Sequence, residues 1–146
     1  MQYFLVVPFM ISYQLQHTID PIMFWCVTFS AVLMMAGGFI INDYYDFDID
    51  AINKPDKMII GNSLSKENAL TYYIILTITG IIVGLYGCWR IKYYGMMSIT
   101  PLPAILLWFY ATTFKRKLFI GNFIVAFLCG GILVLPLLFN LYTFQA

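Results

Sequence analysis

The chain is short of charge. Only 10% of its 146 residues are Asp, Glu, Lys or Arg, while 62% are hydrophobic and the mean hydropathy is +0.83. A soluble domain carries about a quarter charged residues. So few charges cannot solvate a globular surface, and the excess apolar surface calls for lipid. The formal net charge of +1 makes no case for a nucleic-acid partner. His17 is the one histidine, and Cys26, Cys88 and Cys129 lie singly within or beside apolar runs. That scarcity excludes a Cys/His zinc site and a disulfide framework. No Lys or Arg precedes Lys54, so a secretory leader with a basic start is not evident. No Asp or Glu follows Glu67.

What the chain does contain is long apolar runs. Residues 21–41, 69–89, 95–114 and 118–139 are each long enough to cross a bilayer, which takes about 20 residues. Each is expected to be a helix, because lipid offers no partner to an open backbone. An apolar run at 3–13 is too short to span, and the chain is expected to begin inside its first membrane helix. Pro101 and Pro103 predict a kink in the third segment, and Pro136 one in the fourth. Gly80 and Gly84 form a small-xxx-small pair that favours close helix packing. The expected fold is thus an all-α, multi-pass transmembrane bundle of about five helices.

The links differ in character. Residues 42–68 hold Lys54, Lys57, Lys66 and six of the seven acidic residues, and residues 115–117 are all basic. The opposite side receives only Arg90 and Lys92. The positive-inside rule therefore puts the acidic link in the cytoplasm. Tyr44, Tyr45, Tyr72, Tyr73, Trp89, Tyr93 and Tyr94 stand near segment ends, as an interfacial aromatic belt does.

The informative stretch is NDYYDFDIDAINKPDK, starting at Asn42. On a helix at 100° per residue, with Asp43 at zero, Asp46 falls at about −60°, Asp50 at about −20° and Asn42 at about −100°. Asp48 falls at about +140°, on the other side. Three carboxylates and an amide thus share a face. Crowded carboxylates repel in low-dielectric surroundings, and a hard divalent cation relieves the repulsion. Mg²⁺ suits such a set, since it takes a few carboxylates and leaves positions for water and phosphate oxygens. Lys54, Lys57, Lys115 and Arg116 would balance the remaining charge of a phosphate. The bland alternative is a solvated helix end; four oxygen ligands in one stripe, flanked by lysines, favour the metal. An EF-hand fails, because its sixth and twelfth positions would be Ala51 and Lys57 instead of Gly and Glu. A CDP-alcohol phosphotransferase motif also fails: Asp46 and Asp50 match its D-x-x-x-D, but the upstream Asp-Gly is missing.

These residues resemble the UbiA family of intramembrane polyprenyltransferases. Asn42, Asp43, Asp46 and Asp50 match its NDxxDxxxD motif; Asn53, Lys54, Pro55, Asp56, Lys57 and Gly61 match the continuation. Tyr110, Lys115, Arg116, Gly121 and Asn122 match a second element. The similarity covers essentially all of residues 1–146, as the N-terminal part of a single domain. WFYATTFKR and NDYYDFDID are most similar to the digeranylgeranylglyceryl phosphate synthase branch. Four residues separate Tyr110 from Lys115, where other branches have three.

The resemblance implies a nine-helix bundle, of which this chain would be a fragment, with a second acidic motif beyond it. Residues 1–146 alone would then be inactive. It implies Mg²⁺ held by Asn42, Asp43, Asp46 and Asp50, and an isoprenoid diphosphate donor contacted by Asn42, Lys54, Lys57, Lys115 and Arg116. Asp43, Asp46, Asp50, Tyr110 and Lys115 would be catalytic, transferring the prenyl group to an aromatic or glycerol-phosphate lipid acceptor in the membrane. The rival from another class is a non-catalytic helix bundle that binds a divalent cation.

Overall fold

The computed structural model describes residues 20–92, 94–115 and 117–145. The run at 3–13, His17, Tyr93 and Arg116 lie outside them. Among the described residues every regular element is helical, and the one β-type contact is an isolated bridge between Ile60 and Leu64.

Helix α1 spans Pro21–Asn53. Asp20 caps it, its carboxylate accepting from the Ile22 N–H at 2.8 Å, and Pro21 brings a helical φ to the first turn. The helix does not stop where the apolar run stops at residue 41. It continues through the whole acidic motif and ends where Pro55 bars Lys54 from helical geometry. The Lys54 N–H closes the last turn on the Asp50 carbonyl at 2.9 Å.

A compact link follows, opening with a 3-10 turn, Pro55–Lys57. Asn62 Nδ2 donates to the Pro55 carbonyl at 2.9 Å, tying the link to its own start. Gly61 has a φ of +100°, and a Cβ there would lie 2.9 Å from Phe47 Cε2. The glycine is needed twice, for its backbone and for the ring of α1 beside it. Ser65 caps α2, Lys66–Arg90, accepting from the Asn68 N–H at 3.2 Å.

Helices α1 and α2 pack along a seam of small residues. Gly80, Gly84 and Gly87 of α2 are buried against Ser30, Met34 and Cys26 of α1. Ser30 Oγ donates to the Gly80 carbonyl at 2.7 Å, so a buried hydroxyl finds its partner across the interface. The expected close packing at Gly80 and Gly84 is present. At one end Asp20 and Arg90 join the helices through a 2.9 Å ion pair. The lower core there is Met23, Cys88 and Met96.

The third apolar segment is not one helix. It comprises α3 (Tyr94–Met97), a turn, α4 (Leu102–Phe109) and a π-helical turn, Tyr110–Phe114. Pro101 and Pro103 account for the break: neither donates a backbone hydrogen bond, and both are tolerated at a helix start. Helix α5 spans Leu118–Gln145 and includes Pro136. By length and composition Pro21–Asn53, Lys66–Arg90 and Tyr94–Phe114 are each able to cross a membrane, and α5 contributes the shorter apolar stretch Phe119–Gly131. The exposed surface suits that reading, since Phe29, Phe39, Ile78, Ile82, Phe119 and Phe123 all face outward.

Candidate active site

The C-terminal third of α1 is helical throughout, so the spacing of its acids becomes geometry. Asn42, Asp46 and Asp50 succeed one another at i, i+4 and i+8, with Asp43 beside them and Asp48 turned away. Asp46 and Asp50 are half-buried; Asp43 and Asp48 are exposed.

Each half-buried carboxylate carries a lysine. Lys54 Nζ lies 3.2 Å from Asp50 Oδ2, an i, i+4 pair within α1 and its cap. Lys115 reaches across from the π turn to pair with Asp46 Oδ2. The same Asp46 oxygen accepts from Asn42 Nδ2 at 3.3 Å. Two stretches 69 residues apart in sequence thus meet on one oxygen.

The amide of Asn42 is informative about cations. Its Nδ2 is committed to a carboxylate, so the amide cannot be turned over without setting oxygen against oxygen. Its Oδ1 is buried and has no hydrogen-bond partner among the described residues. Such an orphaned acceptor costs about 1–3 kcal/mol. A hard cation satisfies a carbonyl oxygen of this kind, and Asp43, Asp46 and Asp50 supply further oxygen donors on the same face. The residue set therefore fits Mg²⁺ in chemistry. Among the described residues, however, no three Asp, Glu, His or Cys side chains converge as a metal cluster.

The π turn positions the second half of the site. The Lys115 N–H donates to the Tyr110 carbonyl at 3.0 Å, five residues back, which is the π pattern. The wide turn closes across the four residues between Tyr110 and Lys115. Tyr110 itself packs against α5, where a Cβ on Gly121 would stand 3.3 Å from its ring and 3.0 Å from the Phe114 carbonyl. Lys57 is exposed on the 3-10 turn; among the described residues the ion pairs to the motif are those of Lys54 and Lys115.

One contact was not anticipated from the sequence. Lys66 Nζ sits 5.0 Å from the Tyr44 ring centre and 4.9 Å from that of Phe47. The first residue of α2 thereby grips the outer side of the motif helix by cation–π attraction. The available signal was two aromatics at i, i+3 and a lysine just after a helix cap.

An apolar cleft of about 300 Å³ opens between α4 and α5, lined by Leu102, Leu106, Phe123, Ile124 and Phe127. Leu106 lies one turn before Tyr110 on the same segment.

Digeranylgeranylglyceryl phosphate synthase of Methanococcus aeolicus is 35% identical over 107 residues, 72% of this chain and 36% of the relative. Its namesake in Methanobrevibacter smithii is 36% identical over 111 residues, 76% of this chain and 38% of the relative. That of Methanospirillum hungatei is 36% identical over 118 residues, 75% and 37% of the two chains. The chain thus spans little more than a third of the length of these curated relatives. No solved structure matches it. Residues 4–143 match the UbiA prenyltransferase family, and with its apolar helices this makes the chain an integral membrane protein belonging to that family.

Proposed function

We propose that this chain supplies the donor-binding acidic motif of an Mg²⁺-dependent prenyltransferase acting on a glycerol-phosphate lipid. The observation that carries the reading is the meeting of Asn42, Asp46 and Lys115 on one side of α1. The names of the similar synthases favour a glycerol-phosphate acceptor over an aromatic one.

In this reading Asn42, Asp43, Asp46 and Asp50 hold Mg²⁺. When bound, Mg²⁺ supplies the positive charge that a diphosphate needs as a leaving group. Lys54, Lys57, Lys115 and Arg116 add fixed cations around the same phosphates. Charge develops on the departing diphosphate as the allylic carbon–oxygen bond breaks, and preplaced cations stabilise that state more than the ground state. The acceptor oxygen then bonds to the allylic carbon and loses its proton. The apolar lining of the cleft suits an isoprenoid tail. Tyr110 follows the cleft residue Leu106 by one turn and bonds through its carbonyl to the Lys115 N–H, and in this reading its ring faces a cationic allylic carbon.

The test is prenyl transfer from an isoprenoid diphosphate by the intact protein. Asp43→Ala and Asp46→Ala are expected to lower the rate at least about a hundredfold, the scale of losing one electrostatic contact to the transition state. Asp48→Ala, on the other side of the helix, should stay within a few-fold of wild type. Equal losses at Asp46 and Asp48 would sink the one-face assignment. Metal binding that ignores diphosphate would favour the non-catalytic cation-binding bundle.

A further inference from the structure

We infer that Lys66 is a positioning residue for the carboxylate face, latching the end of α1 to the start of α2 through the rings of Tyr44 and Phe47. The inference rests on the donor site proposed above, and concerns what holds its helix in place.

The latch is built from residues that alternate with the acids. With Asp43 at zero, Phe47 falls at about +40° and Tyr44 at about +100°, on the flank of the carboxylate face away from Asp46. Lys66 Nζ lies 4.9 Å from the centre of the Phe47 ring and 5.0 Å from that of Tyr44. Phe47 also bears on the link, since a Cβ on Gly61 would stand 2.9 Å from its Cε2. One ring of the motif helix thus meets both the link and the next helix. Lys115 pairs with Asp46 on the opposite flank, so Asp43 and Asp50 lie between two ties.

Two further observations bear on the role of Lys66. It is the first residue of α2, at the positive end of the helix dipole, where a cation is disfavoured. The rings, and not its own helix, account for a lysine at this position. Among the described residues Lys66 also enters no ion pair, whereas Lys54 sits on Asp50. A lysine held by a carboxylate of the set competes with a metal for that oxygen. A lysine held by ring faces ties the helix and leaves the oxygen donors open.

The two roles open to Lys66 differ in sign. A mere neighbouring charge repels a divalent cation, so its removal would tighten cation binding. A latch keeps the oxygen donors oriented, so its removal weakens cation binding.

The experiment is equilibrium binding of Mn²⁺ to the protein in nanodiscs, followed by electron paramagnetic resonance. Hydrogen exchange of the metal-free protein is the second readout. Lys66→Met keeps an apolar stem and removes the charge. It is expected to weaken Mn²⁺ roughly three- to tenfold and to speed exchange in the last turns of α1 by a similar factor. Lys66→Arg, whose guanidinium also seats on aromatic rings, should stay close to wild type in both. Phe47→Leu should weaken Mn²⁺ as Lys66→Met does, and the double variant should lose less than the sum of the two single losses. Tighter Mn²⁺ binding by Lys66→Met would overturn the inference and make Lys66 a neighbouring charge only. Additive losses in the double variant would overturn it too, as would a Lys66→Arg variant no better than Lys66→Met. If the wild type binds no Mn²⁺, the donor-site reading itself fails, and the latch is decided by exchange: unchanged exchange at the end of α1 in Lys66→Met would refute it.

Discussion

Asp20 does two jobs with one carboxylate. One oxygen caps α1 through the Ile22 N–H, and the other accepts from Arg90 Nε at 2.9 Å. The Arg90 hydrogen bond holds the Asp20 carboxyl below the usual aspartate range, aided by the backbone donors of the cap. A carboxyl whose folded pKa is depressed adds stability that is fully present above its unfolded value. That stability is lost as pH falls through the folded value. Asp20→Asn keeps a good cap but loses the charge. The variant should therefore be less stable than wild type at neutral pH, and the gap should close as the pH falls below the usual aspartate range and through the lowered folded value. Unfolding by sodium dodecyl sulfate in mixed micelles, followed by circular dichroism at both pH values, checks this. A gap that persists in acid would mean that the cap, not the ion pair, carries the effect.

At the scale of elements, the α1–α2 seam depends on residues without side chains. A Cβ on Gly84 would lie 2.7 Å from Ser30 Oγ and 2.7 Å from Thr100 Cγ2. One on Gly130 of α5 would meet nothing within 4 Å among the described residues. Gly84→Ala should therefore destabilise by about 1–3 kcal/mol through overpacking, in the same detergent titration. Gly130→Ala should be neutral or stabilise by about 0.5–1 kcal/mol, because it only stiffens a helix. The reverse ranking would move the tight interface elsewhere. Gly80 and Gly84 were legible as a packing face because their spacing is a helical period, and the acid face was legible for the same reason. The length of α1 was not. Hydropathy marks where lipid ends, whereas the helix ends where Pro55 ends it, twelve residues later than the apolar run. The broken third segment was legible only as a kink, since its two prolines indicate where a helix yields but not that a π turn follows. The pairing of Lys115 with Asp46 had no local signal at all. It is set by how the π turn lies on α1, and the sequence offered Lys115 only as a cation for a phosphate, not as the partner of Asp46.

For the whole molecule, the two ends of the bundle differ in charge. The end of α1, the link, the start of α2, the π turn and the start of α5 bring Lys54, Lys57, Lys66, Lys115 and Lys117 to one end. The opposite end holds Arg90 and Lys92, and Arg90 is already neutralised by Asp20. Segments rich in Lys and Arg are retained on the cytoplasmic side during insertion, so the acidic motif is expected to face the cytoplasm. A cysteine scan decides the matter. In a variant with Cys26, Cys88 and Cys129 replaced by alanine, Ser63→Cys marks the link, and Lys92→Cys marks the turn between α2 and α3. A membrane-impermeant maleimide added to intact cells should label the cysteine at 92 at once, and the one at 63 only after the membrane is opened. The opposite pattern would invert the topology and set the acidic motif outside the cell. That would overturn the assignment of the carboxylate face to the cytoplasm, even if every contact of the site were otherwise correct.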